Sequence, residues 1–593
     1  MSRIARIGAF LALALVAGCL KVPGSEPAPM CYSKDDCDAA AGEVCDEGVC
    51  WGAAPDSDYA AVIGPPYTTR SDLVATEIPN VSIALDGWMQ NLQVESAVTL
   101  TGVVRLACVL GGPDCNDAVA VPAAVRVTRG SRIPGGPGFD TTTDSVPGSE
   151  GELSFALALP PPGPDDPPYQ LTITPAFVED DASINPAEIA PPLHFTLAKG
   201  AELDALDIIL GAGPLRRVSG RVVDAAGHGL ARWRVIANGR WDDADPLAQV
   251  STVGFTDAEG RFQIFLAADA KPVIDVKATP PSSMPAPTLR LHDFDASGAD
   301  ENAGDLRVPS FSDPVPYTVP VIGYETDGSE VPVVGAKVWL RTEVSDGLGR
   351  ANLTAVHEVE GDTDENGEVH VQLLRGAPAS GRTYTLRIHP PPESKLATVY
   401  DQPLTIGPNS GYTEQVRVPD RVAIIGVVVD SAGVPVEGVN VVARPALHFN
   451  WRIDDGLRSQ LASVVPPTTQ TTSDGSFILF VDPDVAGLEP QYDLECDPAA
   501  GSLQPRWTRR DVGAGSDVEI RLPEPAYVRG RVVDVNGERI GGAEVRILAP
   551  AQTEPCPASL PDAVDCDTPA EILAFEQSDD DGVVRLVLPR VIR

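Results

Sequence analysis

Two sets of glycines return about once every hundred residues along this chain of 593 residues. One set sits inside short apolar strands, at Gly102, Gly220, Gly323, Gly426 and Gly530. The other closes a polar turn, at Gly151, Gly260, Gly367, Gly475 and Gly582. The two sets keep step with each other, which a chance match would not do, so one domain type is copied five times. The period is far longer than a solenoid repeat of about 20–50 residues, so each copy should own a core of its own.

Each copy reads as short strands. In the second, Val218, Gly220 and Val222 alternate with polar residues, as a half-buried strand requires. Trp233, Val235 and Ala237 share one face of a second strand, which makes Trp233 a core residue. Thr256 to Gly260 is a tight turn, in which aspartate bonds nearby backbone and glycine takes a positive φ. Phe262, Ile264 and Leu266 follow with period two, then Ile274, Val276 and Ala278, then Leu306 and Val308. A tyrosine-led strand recurs as Tyr169-x-Leu171-x-Ile173, Tyr384-x-Leu386-x-Ile388 and Tyr492-x-Leu494-x-Cys496. Cys496 therefore falls on an inward face and reads as a buried free thiol. The 57 prolines and 54 glycines suit many short strands separated by turns. The expected fold class is all-β: tandem antiparallel β-sandwiches, transthyretin- or immunoglobulin-like, after a small disulfide-rich segment.

The wording of the repeat is more specific. VSGRVVDAAGHGL from Val218, TDAEGRFQIFL from Thr256 and VRGRVVDVNGERIGGAEVRI from Val528 resemble the carboxypeptidase regulatory-like domain, a transthyretin-like sandwich. The resemblance covers residues 215–593, and 95–212 more weakly. It implies fold and an extracellular setting. Such domains accompany peptidases, receptors and adhesins without doing chemistry, so no catalytic residue carries over.

Arg3 and Arg6 precede an apolar run from Ile7 to Ala17, too short to span a bilayer but suited to an export signal. Val16-Ala17-Gly18-Cys19 resembles the lipobox of bacterial lipoproteins, which implies cleavage before Cys19 and acylation there. Two or three acyl chains make a stable membrane anchor where one does not. Leu20 stands where the enteric sorting rule would want aspartate for the inner membrane, so the outer membrane is expected.

Cysteine use agrees with export. Cys31, Cys37, Cys45 and Cys50 crowd a segment too small to build a core, so two disulfides are expected, with three connectivities open. A zinc site is the rival reading, but no CxxC pair or nearby histidine supports it. Cys108 with Cys115, and Cys556 with Cys566, bracket loops that local disulfides would close.

The expected boundaries are a signal peptide at 1–18, the cysteine-rich segment at 19–58 and a linker at 59–94. Sandwiches follow at 95–212, 213–312, 313–420, 421–523 and 524–593. The last copy is too short for its final two strands. Its end is either truncated and poorly ordered, or its open edge takes a strand from a partner.

Nothing in the chain assembles a catalytic motif, a phosphate-cradling loop or a cofactor site. His357 and Glu360 have H-x-x-E spacing, but on a strand they point to opposite faces. Asp362, Asp364 and Asn366 mimic half of a calcium loop, yet Leu373 stands where the bidentate glutamate belongs, so an ordinary turn is expected. Acidic residues outnumber basic ones 84 to 44, a formal charge of −40 that repels nucleic acid. The expectation is a non-enzymatic surface or outer-membrane lipoprotein: a rod of sandwiches, without cofactor or metal, that binds protein or carbohydrate, adheres or spaces. Exposed aromatics such as Trp233 or Trp241 would serve a glycan. The alternative is an accessory subunit that positions an envelope peptidase or glycosidase.

Overall fold

The computed structural model describes residues 30–591, except for loops that include 39–42, 52–58, 85–87, 108–118, 148–152, 179–184, 198–202, 243–245, 310–313, 325–328, 345–347, 377–380 and 556–564. Cys19 and the export-signal region, Cys108 with Cys115, the first turn glycine Gly151 and Cys556 lie outside the described residues. Cys566 is described only as backbone, pairing with Glu554 across a short hairpin.

Five β-sandwiches form, each around a buried cluster, and that of unit two also takes in Leu348, Leu353 and Ala355 of unit three. One layer of each sandwich is centred on the strand that carries the landmark glycine. In the fourth unit this is Val422–Val429, antiparallel to Ser476–Val481 on one side and parallel to Asp517–Arg521 on the other. The sheets are thus antiparallel, with a parallel closing strand in every unit, which in unit three comes as two short pieces. The other layer pairs the second strand with the tyrosine-led strand, as Asn440–Pro445 does with Gln491–Asp497.

The glycines have separate causes. A Cβ on Gly426 would lie 2.5 Å from the Phe477 ring and 2.8 Å from the carbonyl oxygen of Val518, so the position admits only hydrogen. Gly367 instead needs its φ of +73°, the left-handed value that ends the turn after Asp364.

The fifth unit overturns two expectations. Residues 59–94 are not a linker, and the edge of residues 524–593 is neither left open nor completed by another chain. Tyr59–Gly64 pairs with Glu544–Ala549, Thr76–Val81 pairs with Tyr59–Gly64, and Leu92–Gln93 lies parallel to Pro525–Val533. These are the tyrosine-led strand, its neighbour and the closing strand that the C-terminal segment lacks. Tyr59, Ala61, Ile63, Leu73, Met89 and Leu92 enter one core with Val532, Ile547 and Leu586. Trp88 covers the seam, with the guanidiniums of Arg529 and Arg531 at 4.5 and 5.3 Å from its ring. Arg70 reaches the buried carboxylate of Asp534 at 3.1 Å.

Residues 59–94 and 525–591 thus close the chain on itself. Ala551 N–H and Ala570 N–H of unit five donate to Pro134 O and Gly135 O of unit one. Val253 N–H of unit two donates to Ala187 O of unit one, and Phe177 meets Phe255 at 5.9 Å. Units two and three share one continuous sheet through Thr288–Asp295 and Leu353–Asp362. Arg510 of unit four pairs with Glu571 of unit five at 3.1 Å. With the contact between units three and four described below, every unit touches two others in a closed cycle. The expected rod, which needs two free ends, is replaced by a ring of contacts.

Cys31–Cys45 and Cys37–Cys50 are the disulfides, which selects one of the three open connectivities. This segment leans on unit five, with Trp51 edge-on to Tyr527 at 6.1 Å. No described helix is long and apolar enough to cross a membrane.

Candidate functional site

The fourth unit departs from the repeat where its second strand ends. Two helices, Leu447–Asn450 and Asp455–Ser463, fill the space before the edge strand Thr468–Gln470. Asp454 starts the longer helix by accepting from Leu457 N–H at 2.8 Å, a side-chain cap on an otherwise orphaned donor. Leu457 and Leu461, four apart, share one face and bury it against Phe449, Ile453 and Tyr400 of unit three. Arg458 ties the helices together by donating to Asn450 O and Ile453 O. Val464 ends the helix, and Pro466 and Pro467 hold the chain extended beyond it.

Beneath the helices lies the junction of units three and four, organised by Asp482. Its carboxylate accepts from Thr398 N–H at 3.2 Å, Tyr400 O–H at 3.0 Å and Arg421 Nε at 3.2 Å. Its carbonyl accepts from Tyr492 O–H at 2.8 Å. Asp482 and Arg421 are 8% and 10% exposed, so the charge is neutralised inside the protein, which is what makes its burial tolerable. Burial pushes the Tyr400 and Tyr492 hydroxyls well above the usual phenol value, and the neighbouring Asp482 adds to it. Both stay protonated and donate.

Two cavities meet here. One of about 280 Å³ is lined by Tyr400, Arg421, Asn450, Arg458, Leu461 and Asp482. The other, of about 590 Å³, runs along Lys337, His389, Pro390–Pro392, Lys395, Ile478 and Phe480. Arg421, Val464, Pro466 and Pro467 line both. Burial lowers the His389 imidazole below its ordinary value, and its Nε2 is buried without a protein hydrogen-bond partner.

The residues singled out in the sequence do not converge on this seam. His357 is buried in unit three, where its Nε2 meets Gln372 O at 3.1 Å. Glu360 instead accepts from the Trp339 indole at 3.0 Å, so the H-x-x-E pair does not converge. Asp364 accepts from Asn366 N–H and Glu368 N–H, the work of a turn residue, and sits near Glu368 and His370 but not Asp362. Cys496 is a buried free thiol, pushed up to about 12 by burial. Trp233 is fully buried and Trp241 stacks on His194 at 5.0 Å across units one and two, so the two tryptophans considered for a glycan are engaged by the fold. The helical insertion was missed. Its signals were the aspartate cap at Asp454 and the i, i+4 pair Leu457 and Leu461, too short a pattern to outweigh the strands around it.

No protein-family model matches the chain, and no curated protein matches it. Among solved structures, a streptococcal ancillary pilin is 11% identical, with 55% of this chain and 99% of that chain covered and a TM-score of 0.19. The shaft pilin SpaA of Lactobacillus rhamnosus GG, as a D295N mutant, is 13% identical over 36% of this chain and 98% of its own, also with a TM-score of 0.19. A 9R-lipoxygenase from Cyanothece is 20% identical over 17% of each chain, with a TM-score of 0.14. Superpositions this poor transfer no role to this chain.

Proposed function

We propose that this chain is a non-enzymatic binding protein of the cell envelope: a closed set of five β-sandwiches held to a membrane by lipid on Cys19. The observation that carries this reading is how the fold uses its reactive groups. His357 is a buried structural donor or acceptor, Asp364 a turn residue, Cys496 a core thiol and Asp482 a junction carboxylate, so each serves packing. Five sandwiches that share a strand plan and differ in their loops, as the helices of unit four do, offer a platform whose loops can carry binding. The family resemblance to carboxypeptidase regulatory-like domains points the same way, and the lipobox-like Val16 to Cys19 supports the outer membrane as the address. The cysteine-rich segment packs against unit five through Trp51 and Tyr527.

Metabolic labelling with palmitate tests the anchor: label should enter the wild type and be absent from Cys19→Ser. Unlabelled wild type would remove the lipid from the reading. Capture of envelope proteins and glycans on the unlipidated chain, residues 30–593, tests the role. A recovered ligand without hydrolysis supports binding, whereas a stoichiometric peptidase or glycosidase would favour an accessory subunit, and turnover of substrate by the purified chain would overturn both.

A further inference from the structure

We propose that the seam between units three and four binds a small organic acid, with an apolar body along Ile478, Phe480 and the prolines and its oxyanion at Lys337 and Lys395. This deepens the proposed binding role and rests on it. The argument is one of charge. Acidic residues outnumber basic ones 84 to 44 in the chain, yet around the two seam cavities the balance reverses. Lys337, Lys395, Arg421, Arg444 and Arg458 line them against Glu393 and Asp482.

The cations differ in what they already hold. Arg421 is paired with Asp482, Arg444 with Glu495 and Arg458 with Asp455. Lys337 and Lys395 have no carboxylate within ion-pair distance among the described residues. Lys395 instead lays its ammonium over the Phe480 ring at 5.0 Å. An ammonium on an aromatic face beside an apolar wall can hold the head of an amphipathic anion while the ring holds its body. The wall is apolar in fact: Ile478 and Val465 are among the large hydrophobic side chains that this protein leaves exposed, and both line the larger cavity. At about 590 Å³ that cavity falls within the usual range for small-molecule sites. Nucleic acid, also anionic, is disfavoured because a long polyanion would extend beyond the seam over a chain whose formal charge is −40.

The test uses two dyes that share one aromatic body, the first with an anionic head and the second without it: 8-anilinonaphthalene-1-sulfonate and the uncharged N-phenyl-1-naphthylamine. Fluorescence titration of the full unlipidated chain should give one sulfonate site per chain, about tenfold tighter than the neutral dye. Lys337→Glu with Lys395→Glu should weaken the sulfonate about tenfold or more and leave the neutral dye unchanged. Both lysines are exposed, so folding should survive, and far-UV circular dichroism checks it. Ile478→Glu, also at an exposed position, should weaken both dyes. Equal affinity for the two dyes, or sulfonate binding indifferent to the double reversal, overturns the proposal. That failure would not touch the wider binding role, because envelope capture reads macromolecules at any surface of the ring.

Discussion

The hydroxyl of Tyr59 donates to the carbonyl of Pro589 at 3.0 Å, across 530 positions of chain. The same bond recurs locally in other units. Tyr492 donates to Asp482 O and Tyr169 to Pro160 O, while Leu374 N–H donates to the Tyr384 hydroxyl, each within ten residues. In every case the tyrosine of one layer meets the backbone at the last residue of the strand that follows the turn or just past it. The fifth unit is therefore a normal member of the set, cut between two of its strands and assembled from both ends of the chain.

Removing residues 1–94 should dismantle unit five and spare units two to four. Fully burying a Leu, Ile or Val side chain contributes about 1.5–3 kcal/mol. The lost segment supplies Ile63, Leu73, Val81, Leu92 and Val94, among others, to this core. These five alone come to about 8–15 kcal/mol, comparable to the whole stability of an ordinary domain, about 5–15 kcal/mol. Amide exchange should become fast across 525–591. Moving 59–94 behind residue 591 through a short glycine-rich linker should restore protection. Unchanged exchange in the truncated protein would contradict the closure.

Asp482→Ala should destabilise the junction of units three and four strongly. It leaves the Arg421 guanidinium, 10% exposed, without its carboxylate and frees Tyr400 O–H and Thr398 N–H. Breaking a buried pair on one side costs about 3–5 kcal/mol. Urea unfolding should show the loss. A decrease below about 1 kcal/mol would mean that water replaces the lost partners.

Gly426→Ala and Gly323→Ala should differ. The added methyl at Gly426 meets the Phe477 ring at 2.5 Å and a backbone carbonyl at 2.8 Å. At Gly323 the nearest atom is Leu396 Cδ2 at 3.0 Å, the end of a flexible side chain. Overpacking typically costs about 1–3 kcal/mol, so Gly426→Ala should fall in that range and Gly323→Ala below it. Thermal melts of the two variants decide, and equal losses would refute the steric account.

Stability should fall as pH drops below about 6.5, the ordinary imidazole value. Burial holds His357 and His389 below that value, so they stay neutral in the fold while the unfolded chain takes up protons. The unfolded state then binds more protons, and their contribution, complete above the unfolded value, is lost as pH falls. His357→Gln with His389→Gln should flatten the urea midpoint between pH 6.5 and about 5. Asp364 and Asp474, held low by turn hydrogen bonds, act only near and below about pH 4. A slope unchanged in the double variant would assign it to other groups.

Local structure was legible because it is written in short-range terms. Alternation placed Phe262, Ile264 and Leu266 on one buried face, and the aspartate-glycine turns sit where they were read. Trp233 is core and Cys496 is a buried thiol, both from period two alone. Tyr59-x-Ala61-x-Ile63 repeats the wording of Tyr169-x-Leu171-x-Ile173, and that match was the available sign that 59–94 belongs to a sandwich. The match does not tell which sandwich it completes, because the strand it pairs with lies more than four hundred residues away and strand pairing leaves no mark of distance in either partner.

From its residues alone, then, the chain determines five sandwich units, their strands and turns, since periodicity and turn chemistry act within a few positions. The tertiary structure decided the rest: that Leu92 lies beside Val532, that the ring closes, and that Asp482 gathers Thr398, Tyr400 and Arg421 beneath two helices. Those choices come from which exposed edge and which apolar face find each other in space, and sequence order places no constraint on that.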